Sequence, residues 1–406
     1  MKFKDLGLDN RLLEGIEAIG FENATPVQEQ AIPEILSGKD MIASAQTGTG
    51  KTAAFLLPVI HQILSGDHDD NHIKALIIVP TRELAVQIDQ QMEGLSYFTS
   101  VSSIAVYGGG DGSSFTREKQ ALSEGADVIV GTPGRLIAHL NMGYVKVDQL
   151  QHLILDEADR MLDMGFYDDL MKIISYLPKQ RQNLLFSATM PPKIRELAKK
   201  ILHEPVEINI AVSKPAERIL QVAFAVYDNQ KIPLAKYLLQ AKKLQSVIVF
   251  CSTKSSAKQL AKELKGLGFQ AEDIHSDLDQ TEREQVLRSF KNRKLNILVA
   301  TDIMSRGIDI EDIELVINYD VPNDGEDYIH RIGRTARAAS KGVAFTFINE
   351  KEQGKFLGIE ELLGSPVPKG KVPASLGEAP VYQPKKRRAG GFKGSRKPRN
   401  GYKKKS

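Results

Sequence analysis

Cysteine is nearly absent: Cys251 stands alone in 406 residues, so no internal disulfide and no cysteine-built zinc site can form, and a reducing compartment is expected. No apolar run approaches the roughly 20 residues that a membrane span needs. The opening Met1-Lys2-Phe3-Lys4-Asp5 lacks the apolar core of a secretory signal. A cytoplasmic location with no membrane partner is the expectation. The chain is not short of apolar residues in general. With 42% hydrophobic and 26% charged residues it has an ordinary globular composition, and its length suggests two domains.

The net charge of +3 hides an asymmetry. Residues 366–406 carry 13 Lys and Arg against the single acid Glu378, whereas residues 1–365 carry 41 against 50 Asp and Glu. A segment with so few apolar side chains cannot offset the entropy of ordering, so 366–406 reads as a disordered basic tail. Its Phe392 and Tyr402, set among lysines and arginines, suit loose binding of single-stranded nucleic acid by charge and stacking. A merely solubilising tail is the alternative.

The strongest positive signal is Ala43–Thr52, a Gly-rich turn directly after the apolar Met41-Ile42-Ala43. In a P-loop, backbone N–H groups (here across Ala45, Gln46, Thr47, Gly48, Thr49 and Gly50) cradle phosphates, the Lys (Lys51) neutralises them, and the Thr hydroxyl (Thr52) holds Mg²⁺. Ala45 stands where the strict pattern has Gly, so a turn without a ligand is the competing reading. Leu153-Ile154-Leu155-Asp156-Glu157-Ala158-Asp159 decides between them. An apolar run ending in paired acids supplies one carboxylate for Mg²⁺ and a second to position or deprotonate water. The two segments together imply binding and hydrolysis of a nucleoside triphosphate.

Short apolar strands alternate with helical stretches: 75–79, 104–106, 127–130, 153–155 and 184–186. An amphipathic helix opens near Asp9 or Asn10, with Leu12, Leu13, Ile16 and Ile19 at helical spacing. Continuous apolar strands between helices predict an α/β fold with parallel sheets covered on both faces. Past residue 245 the layout recurs. Val247-Ile248-Val249-Phe250 leads to Thr253, as Ile77-Ile78-Val79 leads to Thr81; Ile297-Leu298-Val299-Ala300 leads to Thr301 and Arg306, as Val128-Ile129-Val130 leads to Thr132 and Arg135. The expected domains are 1–208, a linker over 209–217, 218–365 and the tail. The second half has no Gly-Lys-Thr and is not expected to hold its own nucleotide. Ligands of such sheets bind at the carboxyl ends of the strands, where Asp302 and Asp309 also fall. On a continued helix, His330, Arg334 and Arg337 share one face; a solvated basic face is the alternative.

These segments, with Pro80-Thr81-Arg82-Glu83-Leu84-Ala85, Gly108-Gly109, Thr132-Pro133-Gly134-Arg135, Ser187-Ala188-Thr189, Ala300-Thr301-Asp302, Arg306-Gly307-Ile308-Asp309 and His330–Arg337, resemble in order the motifs of DEAD-box ATP-dependent RNA helicases of superfamily 2. The short N-terminus and brief basic tail resemble the bacterial RhlE-like subgroup. The resemblance implies two tandem RecA-like domains, ATP and Mg²⁺ as cofactors, RNA as partner, and a monomer is expected. It implies that Gln28 in Thr25-Pro26-Val27-Gln28 reads adenine, although the same residues spell a helix capping box. Phe3 resembles the family's isolated aromatic, with an ordinary core Phe as the alternative; Ala24 stands where the family usually has Pro. Further roles implied are Lys51 and Thr52 on phosphate and metal, Asp156 on Mg²⁺ through water, Glu157 on the attacking water, and Asp309 on ribose. Arg334 and Arg337 resemble arginine fingers. Ser187, Thr189, Asp159 and His330 resemble coupling residues, with a plain strand end as the alternative for the first two. Pro80, Arg82, Gly109, Thr132, Arg135 and Thr301 resemble RNA-backbone contacts, with surface salt bridges as the alternative for the two arginines. The segment Gly110–Ser114 reads as a long glycine-rich loop. Competing functions are an ATP-gated RNA clamp and a DNA-translocating helicase.

Overall fold

Thr81 and Thr253 begin two helices in the same way. Both have extended backbone, at φ −132° and −131°, and their hydroxyls accept the N–H of Leu84 (3.3 Å) and Ser256 (3.1 Å), the N-cap bond that satisfies an otherwise orphaned helix donor. The likeness extends to whole domains. The computed structural model describes residues 1–45, 49–66, 72–109, 112–210, 219–240, 244–301, 313–323, 325–335 and 342–384, without the side chains of 280 and 326. The first sheet contains β1 (Met41–Ser44), β2 (Ala75–Ile78), β3 (Ser103–Val106), β4 (Val128–Gly131), β5 (His152–Leu155), β6 (Gln182–Ser187) and β7 (Val206–Asn209), in the order β3-β4-β2-β5-β6-β1-β7. The second contains β8 (Ile219–Ala225), β9 (Val247–Cys251), β10 (Ala271–Ile274), β11 (Ile297–Thr301), β12 (Leu315–Asn318) and β13 (Gly342–Ile348), in the order β10-β11-β9-β12-β13-β8. Numbered from its own first strand, each half reads 3-4-2-5-6-1, and β7 adds an edge to the first. The repeat inferred from two segments therefore covers a complete sheet.

All paired strands are parallel, and β2, β4, β5 and β6 are buried along their whole length. Helices on both faces leave no wet side for alternation, which is why these strands read as unbroken apolar runs. The sequence reading passed over β7, β8, β10 and β12. Two of these, Val-Glu-Ile-Asn and Ala-Glu-Asp-Ile, are edge strands whose polar residues hide the strand signal. The opening helix is Asn10–Ala18, with the Asp9 side chain accepting Arg11 N–H at its start.

Two boundaries need correction. Asn209 does not begin the linker: it pairs with Ser44 in β7, and 211–218 lie outside the described residues. Nor is the C-terminal segment disordered from 366. Residues 366–384 form a strap on the second domain. Pro368 O accepts Ala223 N–H and Ala223 O accepts Gly370 N–H, each at 2.8 Å. Lys369 lies over the rings of Phe356 (5.3 Å) and Tyr382 (4.3 Å) and donates to Glu360 (2.7 Å), which also accepts the Tyr382 hydroxyl (2.6 Å). The strap is held by backbone pairing, a buried Val367 and one lysine rather than by an apolar run, so composition does not reveal it. The richest basic stretch, 385–406, lies outside the described residues.

His152 ties the first domain together beneath β5 and β6. It is 4% exposed and its Nδ1 donates to Gln182 Oε1 at 3.1 Å, while Gln182 Nε2 donates to the carbonyls of Ile35 (3.0 Å) and Lys39 (2.6 Å). Burial lowers the His152 pKa to about 4, against the pull of Gln182. Between pH 6.5 and 4 the unfolded chain takes up a proton that the folded chain refuses. Acidification through this window therefore removes stability, up to about 3 kcal/mol at roughly 1.4 per pKa unit. Urea unfolding of wild type and His152→Gln over pH 4–7 should show a shallower pH slope in the variant; parallel slopes would exonerate His152.

Candidate functional site

The sheet order sorts the sequence motifs into two groups. At the carboxyl ends of the neighbouring strands β5, β6 and β1 stand Asp156 and Glu157, Ser187, and Ala45 with the turn to Lys51. At the ends of β3, β4 and β2 stand Gly109, Thr132 and Pro80, with Arg82 opening the following helix.

In the first group, Ala45 N–H donates to Ser187 O at 3.1 Å. Gly50 adopts φ +93° and caps helix Lys51–Ser65. Glycine is required there for a second reason: a Cβ would stand 2.5 Å from Gln28 Nε2. Lys51 is 6% exposed, and its Nζ is buried with no hydrogen-bond partner among the described residues. An ammonium left this way is costly unless an anion arrives, which is the fit expected of a phosphate site. Thr52 is half-buried on the same first turn. Gln46, Thr47 and Gly48 lie outside the described residues.

Asp156 and Glu157 are buried. Burial pushes the Asp156 carboxyl up to about 6, opposed by the Lys51 charge and reinforced by Glu157. Glu157 has φ +49°, a left-handed conformation unusual for a non-glycine residue. Arg160 Nη1 stands 3.4 Å from Glu157 Oε2. The sequence reading missed Arg160, although its i+3 spacing from Glu157 was visible. Ser187 Oγ accepts Asp159 N–H (3.3 Å) and donates to Thr189 O (2.7 Å). The Ser187 hydroxyl thus links the main chains of the other two expected coupling residues of this lobe.

Gln28 is 3% exposed and both ends of its amide are engaged. Oε1 accepts Thr25 N–H at 2.8 Å, the reciprocal half of the capping box, and Nε2 donates to Gly50 O at 3.1 Å. The structure shows capping plus a tie to the P-loop. Phe3 is an ordinary core residue at 3% exposure, with its ring 6.3 Å from that of Phe21.

In the second group, Arg82 lies across Gly109, where a Cβ would stand 2.0 Å from Nη2. Gly109 has φ +87° and is exposed. Pro80 is buried and Thr132 half-buried. Arg135 donates to the buried Glu118 (2.6 Å) and lies over Phe115 (4.5 Å), while its Nη2 has no partner among the described residues. Glu118, which also pairs with His139 Nε2 at 2.7 Å, had no sequence signal. Of the segment expected as a loop, Gly110 and Asp111 lie outside the described residues, and Gly112, Ser113 and Ser114 open the helix Gly112–Glu124.

In the second lobe, Thr301, His330 and Arg334 are buried. The described residues reach the expected shared helical face only at His330 and Arg334. The helix Gly325–Ile332 ends before Gly333, Arg334 N–H turns back to Arg331 O (3.3 Å), and Thr335 bonds to Ile313 O in a β-bridge. The regular helix stops at Ile332, but Gly333 N–H still donates to Ile329 O (2.8 Å) and Thr335 N–H to Ile332 O (3.1 Å), so a helical turn carries the chain from His330 to Arg334. Asp302, Arg306, Asp309 and Arg337 lie outside the described residues. An ion pair joins the lobes: Arg283 Nη1 stands 3.8 Å from Glu83 Oε1.

The comparisons agree with this geometry. Residues 25–197 match the DEAD/DEAH box helicase family and 230–339 the helicase conserved C-terminal domain. An ATP-dependent RNA helicase CshA of Listeria monocytogenes is 45% identical, with 89% of this chain aligned to 68% of the relative. A DEAD-box ATP-dependent RNA helicase CshA of Geobacillus kaustophilus is 42% identical over 88% and 76%. These relatives carry the name CshA, not that of the RhlE-like subgroup. Among solved structures, S. cerevisiae Dbp5 bound to RNA and ADP BeF3 matches with TM-score 0.82 and 31% identity, over 91% of this chain and 95% of that one. Mss116p bound to ssRNA and AMP-PNP matches with TM-score 0.81 and 28% identity, over 92% and 80%. No helix among the described residues is long and apolar enough to cross a membrane. With both domain models in sequence order, and relatives of this identity aligned along most of their length, the chain belongs to the DEAD-box family of ATP-dependent RNA helicases.

Proposed function

We propose that this ATP-dependent RNA helicase opens short RNA duplexes locally, with hydrolysis stimulated by RNA and with little sequence preference. The observation that carries the nucleotide half is the buried Lys51 ammonium, which has no hydrogen-bond partner among the described residues and whose charge acts on the carboxyl of Asp156. Lys51 binds the β/γ-phosphates, Thr52 and Asp156 hold Mg²⁺, and Glu157 positions the attacking water and takes its proton, with Arg160 steadying Oε2. Mg²⁺, when bound, neutralises phosphate charge that would otherwise oppose attack. Gln28 reads adenine through its second Nε2–H and the second lone pair of Oε1, the first of each being held by Gly50 O and Thr25 N–H. Asp309 contacts ribose, and Arg334 and Arg337 complete the site from the second lobe.

Pro80, Arg82, Gly109, Thr132, Arg135 and Thr301 contact the RNA backbone, which carries no base information; discrimination against DNA comes from 2′-hydroxyls. The intact hydrolytic set argues against a hydrolysis-dead clamp. We place the lobes at 1–210 and 219–384, the latter extended by the strap, and read the protein as a cytoplasmic monomer. Steady-state ATP hydrolysis without nucleic acid, with single-stranded RNA and with matched single-stranded DNA tests the assignment. Stimulation by RNA alone supports it; equal stimulation by DNA overturns the RNA preference.

The basic tail raises the local concentration of RNA around an otherwise acidic body. Each phosphate contact to a single strand adds about 0.7 to the salt slope of log K. Removing 385–406 should weaken RNA binding and flatten that slope, measured by titration across salt concentrations; unchanged affinity and slope would count against the tail.

A further inference from the structure

The second lobe carries, at the place that corresponds to the nucleotide site of the first, a filled and sealed substitute. Asp156 N–H donates to Ile78 O and Tyr319 N–H donates to Phe250 O, both at 3.0 Å. These bonds fix the register: Asp320, two residues beyond β12, stands where Glu157 stands beyond β5. Helix Asp228–Gln240 follows β8 as Lys51–Ser65 follows β1, and it presents Lys231. Lys231 is 3% exposed, with Nζ 2.8 Å from Asp320 Oδ1 and 3.3 Å from Glu352 Oε2. A lysine therefore does stand near the ends of these strands, but it meets carboxylates of its own chain.

The remaining carboxylate oxygens are bonded too. Asp320 Oδ2 accepts Ser252 N–H (2.9 Å) and Glu352 Oε1 accepts Val321 N–H (3.1 Å). From this cluster one step leads to the arginine-bearing segment. Arg331 is fully buried over the Phe250 ring, and its Nη1 donates to Asp320 O (2.9 Å) and Asn318 Oδ1 (3.2 Å). Arg331 follows His330, and its carbonyl accepts Arg334 N–H. The strap closes both flanks. Gln230, beside Lys231, donates to the carbonyls of Leu376 and Glu378, each at 2.9 Å. Gln353, beside Glu352, donates to Val381 O (2.8 Å) and accepts Gln383 N–H (2.9 Å).

We propose that Lys231, Asp320 and Glu352 are positioning residues that act through Arg331 to hold Arg334 where it meets the nucleotide bound by the first lobe. The cluster does for the second lobe what a bound nucleotide does for the first: it fixes the strand ends from which functional side chains project. A buried ion pair whose every oxygen is bonded is a rigid support, and removal of one partner leaves an uncompensated charge that rearranges its neighbours. The inference rests on the reading of Arg334 as a finger.

The test compares Lys231→Met, Lys231→Arg, Glu352→Gln, Arg334→Ala and the Lys231→Met/Arg334→Ala pair in the full chain, by single-turnover and steady-state ATP hydrolysis with saturating RNA. Lys231→Met should lower kcat about tenfold or more, with ATP KM and nucleotide-free RNA affinity within twofold of wild type, since Lys51 and all the proposed RNA contacts but Thr301 belong to the first lobe. Lys231→Arg should restore most of the rate. In the Arg334→Ala background the Met substitution should cost little further, the non-additivity expected of residues acting through one another. If Lys231→Met fails to fold, Glu352→Gln, which removes one charge and keeps the shape, takes its place and should show the same split. A strong Arg334→Ala effect with a silent Lys231→Met, or equal losses from Lys231→Met in both backgrounds, overturns the positioning role alone. A silent Arg334→Ala overturns the finger reading and this inference with it.

Discussion

Glu157→Gln is expected to slow RNA-stimulated ATP hydrolysis by about 10²–10³-fold, the usual contribution of a positioned general base, while ATP and RNA stay bound together. The amide keeps the size of the carboxylate and can still accept from Arg160, which stands 3.4 Å from Oε2, so the buried pocket should keep its shape. What it loses is the ability to take a proton from the attacking water. The left-handed backbone at Glu157, φ +49°, favours the same conclusion: a strained conformation held between a buried strand end and a helix start aims the side chain in a way that a relaxed turn would not. Single-turnover hydrolysis with RNA, followed by a chase of labelled RNA in the presence of ATP, checks both halves. Slow turnover with slow RNA release is the expected pair of results; near-normal turnover removes the role given to Glu157.

Arg334→Ala is expected to lower kcat by about 10³-fold, at the lower end of what an arginine finger contributes, with ATP KM changed only a few-fold. The reasoning is geometric. Lys51 belongs to the first lobe, whereas Arg334 follows the second lobe's helix Gly325–Ile332, so on the proposed reading phosphate binding needs only the first lobe and the finger acts across the interface. An interaction made chiefly as charge develops in the transition state lowers kcat and kcat/KM together when removed. ATP affinity measured by titration and kcat measured with saturating RNA separate the two effects. Equal losses in binding and turnover would move Arg334 from catalysis to plain nucleotide binding.

Much of this was legible in the chain itself. The P-loop from Ala45 to Thr52, the acids at Asp156 and Glu157, and the buried parallel strands are local patterns, because phosphate cradling and two-sided burial each demand particular residues at adjacent positions. The duplicated layout was visible in Thr81 and Thr253, which share the sequence logic of a strand running into an N-capped helix. The sequence was misleading where the deciding contact is distant. The regular helix expected to run on past Arg334 ends at Ile332, and Thr335 is drawn to Ile313; the tail acquires an ordered strap because Ala223 offers a strand edge to residues 368–370.

The sequence by itself determined the chemistry available: a lysine closing a Gly-rich turn, paired acids, a second lobe bearing arginines, and the alternation of buried strands with helices. Only the tertiary structure decided where that chemistry is delivered. The strand order 3-4-2-5-6-1 gathers Pro80, Gly109 and Thr132, proposed to meet RNA, at one end of the first sheet and Lys51, Asp156 and Glu157, proposed to meet nucleotide, at the other, with Ser187, Asp159 and Thr189 bonded beside the latter. It also put Lys231 against Asp320 and Glu352, partners 89 and 121 residues away. The physical reason is that a hydrophobic pattern specifies which face of an element is buried but not which neighbour buries it, and ion pairs between residues so far apart exist only once the sheet has closed around them.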